Sequence, residues 1–130
     1  MPSLLIIDDE PAIATLIRRA GEACGYRVAA VSDAGLFKRE LKDAPPDVIC
    51  LDLAMPGTDG IELLRYLESR NCRAQLLVIS GYHGAMVGAA VRLAEALGLS
   101  VAGVFHKPIR IAELKDLLTA LAQPGRPAAA

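Results

Sequence analysis

Residues 48–60, VICLDLAMPGTDG, carry the clearest signal of the fold in this chain. The stretch begins with a continuous apolar run, residues 48–51, of the kind that forms a strand buried on both faces. Asp52 and a loop rich in glycine and proline follow, and a helical pattern begins near Ile61. A buried strand that leads through a loop into an amphipathic helix is the repeating unit of a parallel α/β sheet.

The same unit recurs on both sides of this stretch, and five strand–helix units can be counted. The other predicted strands are residues 4–7, 26–31, 76–79 and 101–105. Each precedes a helical pattern whose apolar side chains stand three and four residues apart. The sequence therefore predicts an α/β fold, a (βα)5 three-layer sandwich with a five-stranded parallel sheet. The residues expected on buried helix faces are Ile13, Leu16, Ile17, Ala20 and Cys24, then Phe37 and Leu41, then Leu64 and Leu67, then Ile111, Leu114, Leu117, Leu118 and Leu121.

Length and composition favour one soluble domain. The chain has 130 residues, which suits a single hydrophobic core. No apolar run approaches the roughly 18 residues of a membrane span, and the amino terminus lacks the basic segment of a secretory signal. We therefore expect a cytoplasmic protein that does not enter membranes. Residues 1–122 are predicted to form the domain, and residues 123–130 a linker or disordered tail.

Charge and cysteine content exclude several other classes. The formal net charge is −1 and lysine and arginine form no run, so we expect no direct binding of nucleic acid. The three cysteines are odd in number and far apart, which predicts neither a disulfide framework nor a cysteine metal clamp.

The candidate functional residues stand directly after four of the five strands. They are Asp8 and Asp9, Asp52, Ser80 and Lys107. In an open parallel sheet, groups at the carboxyl ends of the strands meet in one crevice. Converging carboxylates repel one another, and a hard divalent cation with oxygen ligands relieves that repulsion. The pattern therefore predicts an octahedral Mg²⁺ site.

Asp52 is the candidate nucleophile of this site. A cation that bridges a carboxylate and an incoming phosphate neutralises charge on a transferring phosphoryl group, and attack by Asp52 would give an acyl phosphate. Lys107 would pair with the phosphate oxygens and Ser80 would donate a hydrogen bond. Both contacts require the phosphate, so they can draw the two loops inward and act as a switch.

Four motifs in this order and spacing resemble the receiver domains of two-component response regulators. They are IIDDEP (6–11), LDLAMPGTDG (51–60), ISG (79–81) and HKP (106–108), and the resemblance covers roughly residues 3–121. It implies a flavodoxin-like fold with strand order 2-1-3-4-5. It also implies that a sensor histidine kinase or a phosphotransfer protein donates a phosphoryl group to Asp52.

The resemblance further implies a ligand set for the metal. Asp9 and Asp52 would bind Mg²⁺ directly, Asp8 mostly through water, and the main-chain carbonyl of Ala54 would complete the protein ligands. Mn²⁺ is expected to substitute for Mg²⁺. A cis peptide bond before Pro108 is implied as well.

The expected output is altered binding at the surface near the fourth and fifth helices. The partner would be an output domain or an effector protein, and homodimerisation on phosphorylation is a further expected mode.

The sequence departs from the family at Val104, where receivers usually carry tyrosine or phenylalanine, and strand alternation turns Phe105 the other way. We therefore hypothesise that the signal runs through the fourth helix or its loop. Tyr82 is hypothesised to shield the phosphate from attack by water.

Two other functions stay open. One is a degenerate receiver that binds partners without phosphorylation. The other is an aspartate-nucleophile phosphatase of the dehalogenase type, although that family has a second aspartate where this chain has Ala54. Turnover of a metabolite is not expected.

The individual site residues also have simpler structural interpretations. Asp9 or Glu10 could cap the first helix ahead of Pro11, Ser80 could form a turn, and Lys107 could be solvated.

Overall fold

The computed structural model describes residues 1–55, 57, 59–81 and 85–122, without the side chains of residues 85 and 86. Strands and helices alternate along this part of the chain, as the sequence predicts. The elements are β1 (Ser3–Ile7), α1 (Pro11–Ala23), β2 (Arg27–Val31), α2 (Ala34–Asp43), β3 (Val48–Asp52), α3 (Gly60–Ser69), β4 (Gln75–Ser80), α4 (Ala85–Ala96), β5 (Ser100–His106) and α5 (Ile111–Leu121). The predicted tail at residues 123–130 and Tyr82 lie outside the described residues.

All five strands are parallel, in the order β2-β1-β3-β4-β5, which confirms the flavodoxin-like topology. Ile7 lies opposite Leu51, and Asp52 lies opposite Ile79, so the carboxyl ends of the central strands are level. The pairing of β4 with β5 has one irregularity between Leu76 and Leu77. The polar residues that follow the strands therefore reach one edge of the sheet.

Strand alternation divides the core into two layers, one on each face of the sheet. Leu5 and Ile7 of β1 face one layer, and Leu4 and Ile6 face the other. Helices α2, α3 and α4 cover the first face, and α1 and α5 cover the second. This arrangement confirms the three-layer sandwich. The helix residues buried in it include Phe37, Leu41, Leu63, Leu64, Leu67, Ala90 and Ala94 on the first face, and Ile17, Ala20, Leu114 and Leu118 on the second.

Helix α1 differs from its prediction at Leu16, which is 37% exposed rather than directed inward. The buried face of α1 consists of Ile17, Ala20 and Gly21. At about 100° per residue, Leu16 falls at the border of this stripe. Gly21 belongs to this stripe and lies so close to β1 that a Cβ there would be only 2.7 Å from Leu4 Cδ2. The close approach of α1 to the sheet therefore turns Leu16 toward solvent.

Local signals at the other helix ends agree with the structure. Asp33 caps α2 and accepts a hydrogen bond from the amide of Leu36 at 2.8 Å. Gly25, after α1, has a φ of +89°, a conformation that glycine adopts without strain. Within the described ranges, no helix combines the length and apolar character needed to cross a bilayer.

Candidate functional site

The predicted site residues lie together at the carboxyl edge of the sheet. Asp8 follows β1, Asp52 ends β3, and Ser80 ends β4, and all three are buried in the folded chain. Lys107 follows β5, and its amide donates a hydrogen bond to the Ser80 carbonyl at 2.8 Å. Asp9 is at the same edge and is exposed. Neighbouring strands thus gather these residues from four separate segments.

Asp52 is held on both of its carboxylate oxygens. Oδ1 accepts a hydrogen bond from the Ala54 amide at 2.8 Å, and Oδ2 accepts one from Lys107 Nζ at 3.2 Å. The Leu53 amide donates to the Ile79 carbonyl at 3.0 Å, which fixes the start of the loop against β4. The acceptor predicted from the sequence is therefore a buried carboxylate with a fixed orientation.

Asp8 has one satisfied and one unsatisfied oxygen. Oδ1 accepts from the Glu10 amide at 2.9 Å. Oδ2 is buried, lies 3.6 Å from Lys107 Nζ, and accepts no hydrogen bond within the described chain. Burial raises the pKa of Asp8 from its ordinary 3.8 to about 6. The hydrogen bond from the Glu10 amide acts to lower this pKa, and the nearby Asp52 charge acts to raise it. A positive charge at Oδ2 would satisfy this oxygen.

Lys107 is the cation at the centre of these acids. Its Nζ lies 2.6 Å from Glu10 Oε1, 3.2 Å from Asp52 Oδ2 and 3.6 Å from Asp8 Oδ2. The side chain is only 13% exposed, so it is not the solvated lysine of the simpler interpretation. Burial acts to lower its pKa, but the Glu10 hydrogen bond and the two aspartates outweigh burial and raise it. Lys107 therefore stays charged.

Glu10 is the residue at this site that the sequence interpretation did not include. It stands at the N-cap of α1 before Pro11, but its side chain makes no capping hydrogen bond and turns to Lys107 instead. The signal in the sequence was an acid directly after Asp8 and Asp9. A helix start explains such an acid equally well, and only the position of Lys107 distinguishes the two roles.

The acidic cluster could bind a metal ion. Asp8, Asp9, Glu10 and Asp52 each offer an oxygen, and these oxygens all lie within 4.8 Å of one another. Carboxylate oxygens suit hard cations such as Mg²⁺ and Ca²⁺. The unsatisfied Asp8 Oδ2 is consistent with a cation at this position. Of the predicted ligands, three aspartates are therefore brought together, and Ala54 is in the adjoining loop.

The surroundings of Lys107 agree with two further expectations. The Lys107–Pro108 peptide bond is cis. Val104 is 37% exposed, whereas Phe105 packs into the core layer shared with α1 and α5, so the two side chains face opposite ways. No aromatic side chain therefore occupies the position three residues before Lys107.

Comparison with known proteins gives consistent matches. The family model described as the response regulator receiver domain matches residues 4–119. The protein-glutamate methylesterase/protein-glutamine glutaminase 2 of Burkholderia thailandensis is 34% identical, over 100% of this chain and 37% of its own length. The positive alginate biosynthesis regulatory protein of Pseudomonas aeruginosa is 32% identical, over 95% of this chain and 48% of its own length. The chain thus spans less than half of either relative.

Solved structures show the same similarity along nearly the whole chain. A response regulator from Colwellia psychrerythraea has a TM-score of 0.78 and 33% identity, covering 92% of this chain and 95% of that one. The receiver domain of a Francisella response regulator has a TM-score of 0.76 and 26% identity, covering 93% of this chain and 96% of that one.

Proposed function

Because the chain belongs to the response regulator receiver domain family, we propose that it accepts a phosphoryl group on Asp52 in two-component signalling. The observation that carries the proposal is the environment of Asp52. Its buried carboxylate bonds to Lys107 at 3.2 Å and shares a crevice with Asp8 and Asp9. This environment combines a nucleophile, a fixed positive charge and a set of oxygen ligands.

The proposed reaction transfers a phosphoryl group from a phosphohistidine of a sensor histidine kinase or a phosphotransfer protein. An Asp52 oxygen attacks phosphorus, the O–P bond forms, and the P–N bond breaks to release the imidazole. Lys107 pairs with the phosphoryl oxygens, and the Ser80 hydroxyl donates a hydrogen bond to them. Both residues are already at this edge of the sheet.

Mg²⁺ is the cofactor we propose, with Mn²⁺ as a substitute. Asp9 and Asp52 would hold it directly, Asp8 mostly through water, and the carbonyl of Ala54 would complete the set. When bound, the ion neutralises charge on the phosphoryl group. The unsatisfied Asp8 Oδ2 and the 4.8 Å spread of carboxylate oxygens support this assignment.

The proposed output is a change in partner binding near α4 and α5. The longer relatives named above support an output domain or a separate effector, and homodimerisation on phosphorylation is a further mode. Val104 is exposed and is not aromatic. This supports transmission of the signal through α4 or its loop rather than through inward rotation of an aromatic side chain at position 104. We place the domain at residues 1–122 of a cytoplasmic protein that does not bind nucleic acid itself and does not enter membranes.

Incubation with acetyl phosphate and Mg²⁺, followed by intact mass measurement, tests the proposal. We expect a phosphoryl increment that is absent in Asp52→Ala and present in Asp43→Asn, a matched change at an exposed aspartate of α2. Rapid release of phosphate without a stable adduct would favour the phosphatase. Absence of labelling would favour the phosphorylation-independent interaction module.

A further inference from the structure

The nearest anion to Lys107 is a carboxylate outside the proposed ligand set. Lys107 Nζ is 2.6 Å from Glu10 Oε1, compared with 3.2 Å to Asp52 Oδ2. The Glu10 side chain is 58% exposed, whereas that of Asp52 is 1% exposed. Lys107 is therefore shared between the buried acceptor and a carboxylate at the mouth of the crevice.

The Glu10 pair crosses the site from one strand to another. Glu10 follows β1 and Lys107 follows β5, and β3 and β4 lie between these strands in the sheet. The backbone of Glu10 is held by its amide, which donates to Asp8 Oδ1 at 2.9 Å, and the next residue is Pro11 at the first helical position. Because the backbone is fixed, the side chain reaches Lys107 from a constrained position.

On the basis of the proposed function, we propose that Glu10 is a positioning residue that restrains Lys107 and competes with the phosphoryl group for its ammonium. An ammonium has three N–H donors. In the structure Nζ bonds to Glu10 and Asp52 and lies 3.6 Å from Asp8 Oδ2. Phosphoryl oxygens that arrive at Asp52 need donors from the same ammonium. The Glu10 contact holds one of these donors away from the arriving oxygens and therefore slows phosphorylation.

Two substitutions separate this contact from general charge repulsion. Glu10→Gln removes the charge, and Glu10→Asp keeps the charge but shortens the side chain by one methylene, which withdraws it from Lys107. We expect both variants to accept phosphate from acetyl phosphate roughly threefold to fivefold faster, the size expected for one partly exposed ion pair. Glu22→Gln, an equal charge change at an exposed position of the same helix, should leave the rate unchanged.

A second measurement reports the contact without a phosphodonor or metal. Solvent exchange of the Lys107 ammonium protons, followed by NMR, should be slow in the unmodified protein and faster in both Glu10 variants. The Mg²⁺ affinity of Glu10→Asp, which keeps the charge, should match that of the unmodified protein, because the proposal gives Glu10 no direct role as a ligand.

Several results would overturn the proposal. A Glu10→Asp variant as slow as the unmodified protein, beside a faster Glu10→Gln, would show that charge alone sets the rate. Slower phosphorylation together with a loss of Mg²⁺ affinity in Glu10→Asp, which keeps the charge, would make Glu10 a metal ligand. If the unmodified protein were not labelled on Asp52 at all, the proposed function would fail instead, and ammonium exchange would still decide whether Glu10 restrains Lys107.

Discussion

Replacing Asp8 by asparagine should stabilise this protein at neutral pH, although it removes a residue of the candidate site. Asp8 is buried, and its Oδ2 accepts no hydrogen bond in the described part of the chain. Burial, together with the Asp52 charge, raises its pKa from 3.8 to about 6. At roughly 1.4 kcal/mol for each pH unit, keeping Asp8 ionised reduces stability by about 3 kcal/mol above pH 7.

The sign of the pH dependence follows from the raised pKa. The folded protein holds the Asp8 proton more tightly than the unfolded chain does. This contribution to stability is fully present below about pH 3.8 and is lost as pH rises through about 6. Asparagine keeps an acceptor for the Glu10 amide but places a donor near Lys107, which we expect to cost about 1 kcal/mol.

We therefore expect Asp8→Asn to be more stable by about 2 kcal/mol at pH 7.5, with the advantage vanishing at about pH 4.5 and reversing below it. The measurement is urea unfolding followed by circular dichroism in the presence of EDTA, with Asp43→Asn as the exposed control. A shifted midpoint at an unchanged slope would report stability alone. A variant less stable than the unmodified protein at pH 7.5 would contradict this expectation, because Asp8 would then gain more from Lys107 than it loses by burial.

Four further outcomes are expected. Mg²⁺ should raise the melting temperature more at pH 7.5 than at pH 5, where Asp8 is largely protonated; equal shifts in thermal scans at both pH values would contradict this. Tyr26→Phe removes a buried hydrogen bond from the Tyr26 hydroxyl to the Leu118 carbonyl, 2.7 Å long, and should cost about 1–2 kcal/mol in urea unfolding. Gly21→Ala should destabilise by about 1–3 kcal/mol in the same assay, since its Cβ would lie 2.7 Å from a leucine methyl of β1. Val104→Ala should leave the affinity of the phosphorylated protein for its output partner unchanged in a binding titration, whereas a large loss would show that residue 104 relays the signal.

Much of the fold was predictable because the signals are local. Buried parallel strands are apolar throughout, and amphipathic helices repeat about every 3.6 residues, so the alternation of elements needs no tertiary information. The predicted strands differ from the observed ones by one residue at one end, as in β3, which extends to Asp52, or at both ends, as in β4 and β5. Leu16 was misplaced because the border of a helix stripe depends on how closely the helix approaches the sheet.

The order of residues along the chain places acids, a hydroxyl and a lysine directly after the strands, and parallel pairing then brings them to one edge. The burial and the interaction partner of each side chain, in contrast, are set by tertiary packing. It buries Asp8 and leaves Asp9 exposed, and it turns Glu10 away from its helix toward Lys107. This difference arises because strand and helix periodicity depend on residues close together in the chain, whereas desolvation and ion pairing depend on residues as far apart as Glu10 and Lys107.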